Sequence, residues 1–128
     1  MIIGVGTDIC SVTRIKDTLK RNGLAFAERV LTPEEQHEIP TLTPDFIAKR
    51  FAAKEAVAKA LGCGIGSKIS FQDIQITHTE TGQPMVKLMP KVTNLFGHVR
   101  LHISISDEKE AYAVAMVIAE RSDDDAAH

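Results

Sequence analysis

Cysteine is scarce: Cys10 and Cys63 are the only two among 128 residues. They have neither metal-ligand spacing nor the density of a cross-linked secreted scaffold, so a reducing cytoplasm is the expected home. Long apolar runs are missing as well. None approaches the ~20 residues that a membrane helix needs, and residues 1–6 carry no basic leader, so a soluble chain without membrane contact or processing is expected. Neither sign of charge dominates. With 15 Lys and Arg against 17 Asp and Glu the net charge is −2, which argues against a general nucleic-acid binder and makes any charge-based recognition local. There is no internal repeat and no low-complexity domain. A hydrophobic share of 44% and a charged share of 25% fit one soluble globular domain, large enough to bury roughly two-thirds of its unfolded surface.

What the chain does have is an alanine-rich stretch, Arg50-Phe51-Ala52-Ala53-Lys54-Glu55-Ala56-Val57-Ala58-Lys59-Ala60-Leu61. Strong helix formers without Pro or Gly predict a helix over 45–61, stopped by Gly62. At 100° per residue Glu55 and Lys59 lie within about 40° of each other, with Ala48 and Ala52 on the same side. The carboxylate therefore sits on a small-residue face that another backbone, a strand or a ligand can approach closely. Taken alone, Glu55 and Lys59 are an ordinary i, i+4 pair contributing about 0.2–0.5 kcal/mol.

Around this helix the pattern is mixed. Residues 2–9 are rich in β-branched side chains and punctuated by Gly4 and Gly6, which predicts a buried strand that something approaches closely. Asp8 near its end reads by itself as a turn or cap residue. Ser11 as N-cap followed by Val12, Ile15 and Leu19 predicts a helix up to Gly23, with Arg14, Thr18 and Arg21 on one face. That face is either solvated or a landing site for an acidic partner. A short helix over 24–30 and another opened by Thr32-Pro33-Glu34-Glu35 follow. After Leu61 the run Gly62-Cys63-Gly64-Ile65-Gly66-Ser67-Lys68 offers backbone N–H groups that can wrap a phosphate, or is a flexible connector. It is not a Walker A loop. Strands are expected over 69–77 and 85–88 with a turn at Thr81-Gly82-Gln83-Pro84, then a short helix from Pro90 to Gly97. Residues 100–106 alternate strictly, with Leu101, Ile103 and Ile105 on one face and His102, Ser104 and Ser106 on the other. A polar turn at 107–110 leads to an apolar strand over 111–119, the best candidate for a sheet centre. The predicted class is α+β, a mostly antiparallel sheet packed with a long central helix, over residues 1–120; residues 121–128 read as an acidic, disordered tail.

Four motifs in order, Gly4-Val5-Gly6-Thr7-Asp8-Ile9, Arg50-Phe51-Ala52-Ala53-Lys54-Glu55-Ala56, Ala60-Leu61-Gly62-Cys63-Gly64-Ile65-Gly66 and Ser104-Ile105-Ser106, closely resemble the holo-acyl carrier protein synthases, members of the 4′-phosphopantetheinyl transferases. The likeness spans residues 1–120. It implies the 4′-phosphopantetheinyl transferase fold, and transfer of the 4′-phosphopantetheine arm from coenzyme A to a serine of apo acyl carrier protein, with release of adenosine 3′,5′-bisphosphate, in the service of fatty acid biosynthesis. It implies Mg²⁺ as cofactor, held by Asp8 and Glu55, with Glu55 and Lys59 catalytic. Coenzyme A is expected at Arg50, Lys54, Lys59, Gly62, Gly64, Gly66, Pro84, Ser104 and Ser106, and the carrier protein at Arg14 and Arg21. A homotrimer with sites at subunit interfaces is expected, its contact surface formed by the apolar strands after residue 69. Two positions depart from the family pattern. Asp107 stands where many relatives have His, and Gln83 replaces a common Lys. Without the resemblance, the same carboxylates also fit a Mg²⁺-dependent nucleotide phosphodiesterase.

Overall fold

The computed structural model describes residues 1–122. Residues 123–128, most of the predicted tail, lie outside the described part. In chain order come β1 (Ile2–Ser11), α1 (Val12–Asn22), α2 (Leu24–Val30), α3 (Pro33–Gln36) and α4 (Pro44–Ala60). A 3₁₀ turn at Phe71–Asp73 then precedes β2 (Ile74–His78), β3 (Pro84–Leu88), α5 (Pro90–Phe96), β4 (Arg100–Glu108) and β5 (Tyr112–Glu120). The class is α+β, with two antiparallel sheets: a three-stranded one ordered β1-β5-β4 and the hairpin β2-β3. As its apolar run predicts, β5 is the central strand.

The packing of α4 on β1 explains both the alanines and the glycines. A Cβ on Gly4 would overlap the carbonyl oxygen of Ala60, and one on Gly6 would overlap that of Ala56 and meet the Ala60 nitrogen at 2.7 Å. Only glycine lets the strand lie directly against the helix backbone. On the same side of the sheet Ala113, Ala115, Val117 and Ala119 of β5 are buried, so small side chains carry the contact throughout. Thr43 caps α4, its hydroxyl accepting the Phe46 N–H at 3.2 Å, and Pro44 takes the first helical position. Ser11 caps α1 in the same way by accepting from Arg14 N.

Three expectations change. The strand predicted over 69–77 begins only at Ile74, because the Asp73 carboxylate folds back onto the Ser70 N–H (2.8 Å) and hydroxyl (3.0 Å) and closes a turn over Phe71–Asp73. The strand at residues 2–9 is covered on its helix side only. Gly6 and Cys10 are buried, while Val5 and Ile9 on the other face are 57% and 65% exposed. Finally, β4 runs on to Glu108, which places Asp107 opposite Ala113 in the ladder rather than in the turn.

Candidate functional site

Strand alternation puts Gly4, Gly6, Asp8 and Cys10 on the face of β1 that meets α4. The two glycines draw the helix in, and one further step along that face Asp8 meets the last two turns of α4, which carry Glu55 and Lys59. Lys59 Nζ donates to the Thr7 carbonyl at 3.0 Å and to Asp8 Oδ1 at 3.2 Å. The other carboxylate oxygen, Asp8 Oδ2, is buried and has no hydrogen-bond partner among the described residues. A shallow cleft of about 290 Å³, lined by Thr7, Asp8, Ile9, Lys59 and Val114, opens here. An adjoining cavity of about 220 Å³ reaches Cys10, Arg14, Thr18, Phe26 and Phe51.

The electrostatics are those of an anion pair that Lys59 compensates only in part. Burial pushes the Glu55 carboxyl above the usual carboxylate range, the Asp8 charge pushes it further, and Lys59 only partly opposes this. The Cys10 thiol is pushed up to about 11 by burial and then by Asp8, with Arg14 opposing, so it stays protonated and is no nucleophile. A buried acceptor without a donor, beside a second carboxylate that it repels, fits a hard divalent cation. No group of three or more His, Cys, Asp or Glu among the described residues can hold a metal. Two carboxylates suit the kind of ion that takes one or two of them and completes its shell with water and substrate oxygens.

The other residues singled out by the sequence separate into groups. Arg14 and Arg21 are exposed on α1, and Arg14 is close enough for its charge to act on Cys10, so the basic face begins beside the carboxylates. Arg50 and Lys54 are turned into the interior. Lys54 is fully buried, its Nζ bonded to Glu35 Oε1 (2.6 Å), the Val30 carbonyl (2.8 Å) and the Phe71 carbonyl (3.0 Å). Arg50 is 4% exposed, held by Glu38 at 2.7 Å and the Ile76 carbonyl at 3.2 Å, with its guanidinium 4.5 Å from the Phe46 ring centre. Neither is a free cation awaiting a phosphate. The glycine loop borders a depression of about 340 Å³, and the amides of its three glycines are hydrogen-bonded within the chain. The N–H groups of Gly62 and Gly64 donate to the Lys59 and Ala58 carbonyls, terminating α4, and that of Gly66 donates to the Ile69 carbonyl within the loop, so these glycines supply shape rather than donors. Pro84 opens β3 in the second sheet. Ser104 and Ser106 are exposed on the face of β4 opposite the one bearing Ile103 and Ile105. Paired through Met116 and Val114 with Thr7 and Ile9, they lie on the opposite side of the sheet from Asp8. Asp107, in place of the family's common His, pairs with Lys49 at 3.8 Å.

Sequence reasoning missed the buried cluster around Glu35, although a signal existed. Thr32 followed three residues later by Glu35 is a capping box, and the structure forms it, with Thr32 N donating to Glu35 Oε1 at 2.8 Å.

Comparison with known proteins places the chain in a family. The family model described as the 4′-phosphopantetheinyl transferase superfamily matches residues 4–117. A holo-[acyl-carrier-protein] synthase of Vibrio vulnificus is 45% identical over 124 residues, covering 93% of this chain and 98% of that protein. Its Vibrio cholerae counterpart is 43% identical over 126 residues, covering 94% and 99%. Among solved structures, the Neisseria meningitidis synthase superposes with a TM-score of 0.87 at 44% identity, covering 94% of this chain and 100% of that one. A Bacillus anthracis synthase solved in complex with CoA (3′,5′-ADP) gives 0.81 at 37% identity, covering 95% and 99%. With two carboxylates meeting across a glycine-tight strand–helix contact and relatives matched over nearly their whole length, this chain belongs to the 4′-phosphopantetheinyl transferase superfamily, in its holo-[acyl-carrier-protein] synthase family.

Proposed function

We infer that this protein transfers the 4′-phosphopantetheine group of coenzyme A to a serine hydroxyl of apo acyl carrier protein, in the service of fatty acid biosynthesis. The observation that carries the reading is the unpartnered, buried Asp8 Oδ2 beside the raised Glu55 carboxyl. Asp8 and Glu55 are the residues that would hold Mg²⁺, which when bound offsets charge on the coenzyme A pyrophosphate. The serine oxygen forms its bond to the pantetheine-bearing phosphorus as the bond to adenosine 3′,5′-bisphosphate breaks. Lys59, half-exposed at the cleft, neutralises or protonates the departing phosphate. Glu55, beside Asp8, is a candidate to take the serine proton, either directly or through water. The glycine loop, Pro84, Ser104 and Ser106 are proposed to line the coenzyme pocket, Ser104 and Ser106 from the neighbouring copy in a homotrimer.

Intact-mass analysis of apo carrier protein after incubation with enzyme, Mg²⁺ and coenzyme A tests the reaction. A gain of one phosphopantetheine group is expected; coenzyme A broken down without any carrier protein would instead mark a hydrolase. The acceptor is acidic, and the α1 face that presents Arg14 and Arg21 is its proposed landing site. Arg14→Glu should raise the KM for carrier protein about tenfold while leaving that for coenzyme A within about twofold, and added salt should weaken wild-type docking. Equal changes in both KM values would assign Arg14 to the coenzyme.

A further inference from the structure

The cluster around Glu35 is the largest polar assembly in the interior, and the transfer reaction as described makes no use of it. Glu35 is completely buried and accepts from Thr32 N, Ile76 N at 2.8 Å and Lys54 Nζ, with Arg50 at 3.5 Å. Lys54 in turn joins three segments: the end of α2 through Val30, α3 through Glu35 and the 3₁₀ turn through Phe71. Burial lowers the Lys54 pKa and Glu35 opposes that shift. A neutral amine has only two N–H donors, and three acceptors at 2.6–3.0 Å call for the ammonium.

An ion pair this deep is a weak source of stability, since desolvation consumes most of its Coulomb gain. Its better-attested use is to fix register. Between Ala52 and Ala60 the buried side chains of α4 other than Lys54 are alanines and Val57, and on the strand side the helix meets glycines. Surfaces so smooth offer few knobs over the half of the helix that carries the carboxylate, the other large anchors being Ile47, Arg50 and Phe51 in the turns before it. Lys54 is the large buried side chain within that half, and Glu55 is the next residue.

We propose that the buried Lys54–Glu35 pair is a positioning device that sets the rotation of α4 so that the Glu55 carboxylate meets Asp8 in metal-binding geometry. The proposal rests on the transferase reading above. A 10° rotation moves a carboxylate at ~6 Å from the helix axis by about 1 Å, and a displacement of that size can cost on the order of 100-fold in rate.

The test uses Lys54→Met, in which Glu35 keeps Arg50 and its two backbone donors, and Lys54→Met with Glu35→Gln, which removes both charges. Calorimetric titration with coenzyme A, below the melting temperature and with and without Mg²⁺, separates position from folding, because stoichiometry counts folded chains and Kd reads the site. For both variants we expect unchanged stoichiometry, unchanged Kd without metal, at least a tenfold weaker Kd with Mg²⁺, and kcat lower by about 100-fold. The KM for carrier protein should stay within twofold, and Lys54→Arg should recover part of the Mg²⁺ effect. Wild-type Kd values with Mg²⁺, or a loss confined to stoichiometry, would overturn the positioning role. If the wild-type chain itself binds coenzyme A no better with Mg²⁺, the metal assignment falls and the proposal with it.

Discussion

Asp8→Ala and Glu55→Ala should each lower phosphopantetheine transfer by roughly a thousandfold or more, on the scale of the several kcal/mol that a bound cation supplies to a charged transition state. The fold should survive both changes. Without metal, Asp8 is a liability: one oxygen is buried without a donor and its charge pushes Glu55 up. What Asp8→Ala gives up is the 3.2 Å contact to a Lys59 side chain that is itself 50% exposed. An exposed pair of this kind contributes about 0–1 kcal/mol, less than an unpartnered buried acceptor typically costs. In a chelator the melting temperature of Asp8→Ala should therefore equal or exceed that of the wild type. With coenzyme A already at saturation, addition of Mg²⁺ should raise the wild-type melting temperature further and leave that of the variant unchanged. Full activity of Asp8→Ala at limiting Mg²⁺ would remove the metal from Asp8.

The close strand–helix approach beside that pair was legible in the sequence because its surroundings are written in small residues, whereas the pairing of Asp8 with Glu55 came from the family resemblance, since Asp8 by itself reads as a turn or cap residue. Gly4 and Gly6 at alternate strand positions and alanines along one helix stripe both announce close backbone approach, and the structure brings these two smooth surfaces together. The same smoothness hid the roles of Arg50 and Lys54. Where nearly every position is alanine, no apolar stripe says which side of a helix is outside, so cations beside Glu55 read as phosphate ligands. Their partners Glu38 and Glu35 lie 12 and 19 residues earlier, beyond the reach of helix periodicity. The misread glycine amides are a different case. Helix ends consume the N–H groups just past them, and the Gly62 and Gly64 donations to Lys59 and Ala58 follow that local rule. The late start of β2 was hidden by the buried Ile69 and Phe71, which read as strand while Asp73 and Ser70 close a turn between them.

Two inactive variants should regain transfer when assembled together. The outer face of the three-stranded sheet carries Val5 and Ile9 from β1 and Tyr112, Val114 and Met116 from β5, all at least 42% exposed, beside Ser104 and Ser106 of β4. The exposed apolar surface thus includes the first strand, beyond the strands after residue 69 that composition singles out. A contiguous patch of this kind favours self-association. Asp8 lies on the other side of the same sheet, with its cleft at the β1 edge and both serines on β4 at the opposite edge, so a coenzyme molecule held at the carboxylates is expected to meet the serines of a neighbour rather than its own. If the serines serve the coenzyme, they serve the one bound by a neighbour. A chain carrying Glu55→Ala lacks the metal side. A chain carrying Ser104→Glu and Ser106→Glu places negative charge against the coenzyme phosphates. Each should be inactive alone. Co-expressed with different tags and isolated through both, they should recover activity, since every mixed cyclic trimer places an intact metal side against an intact serine side at about one boundary in three. Light scattering should give a trimer for wild type, each variant and the mixture. Mixed trimers without activity would confine the site to single chains, and a fully active wild-type monomer would do the same.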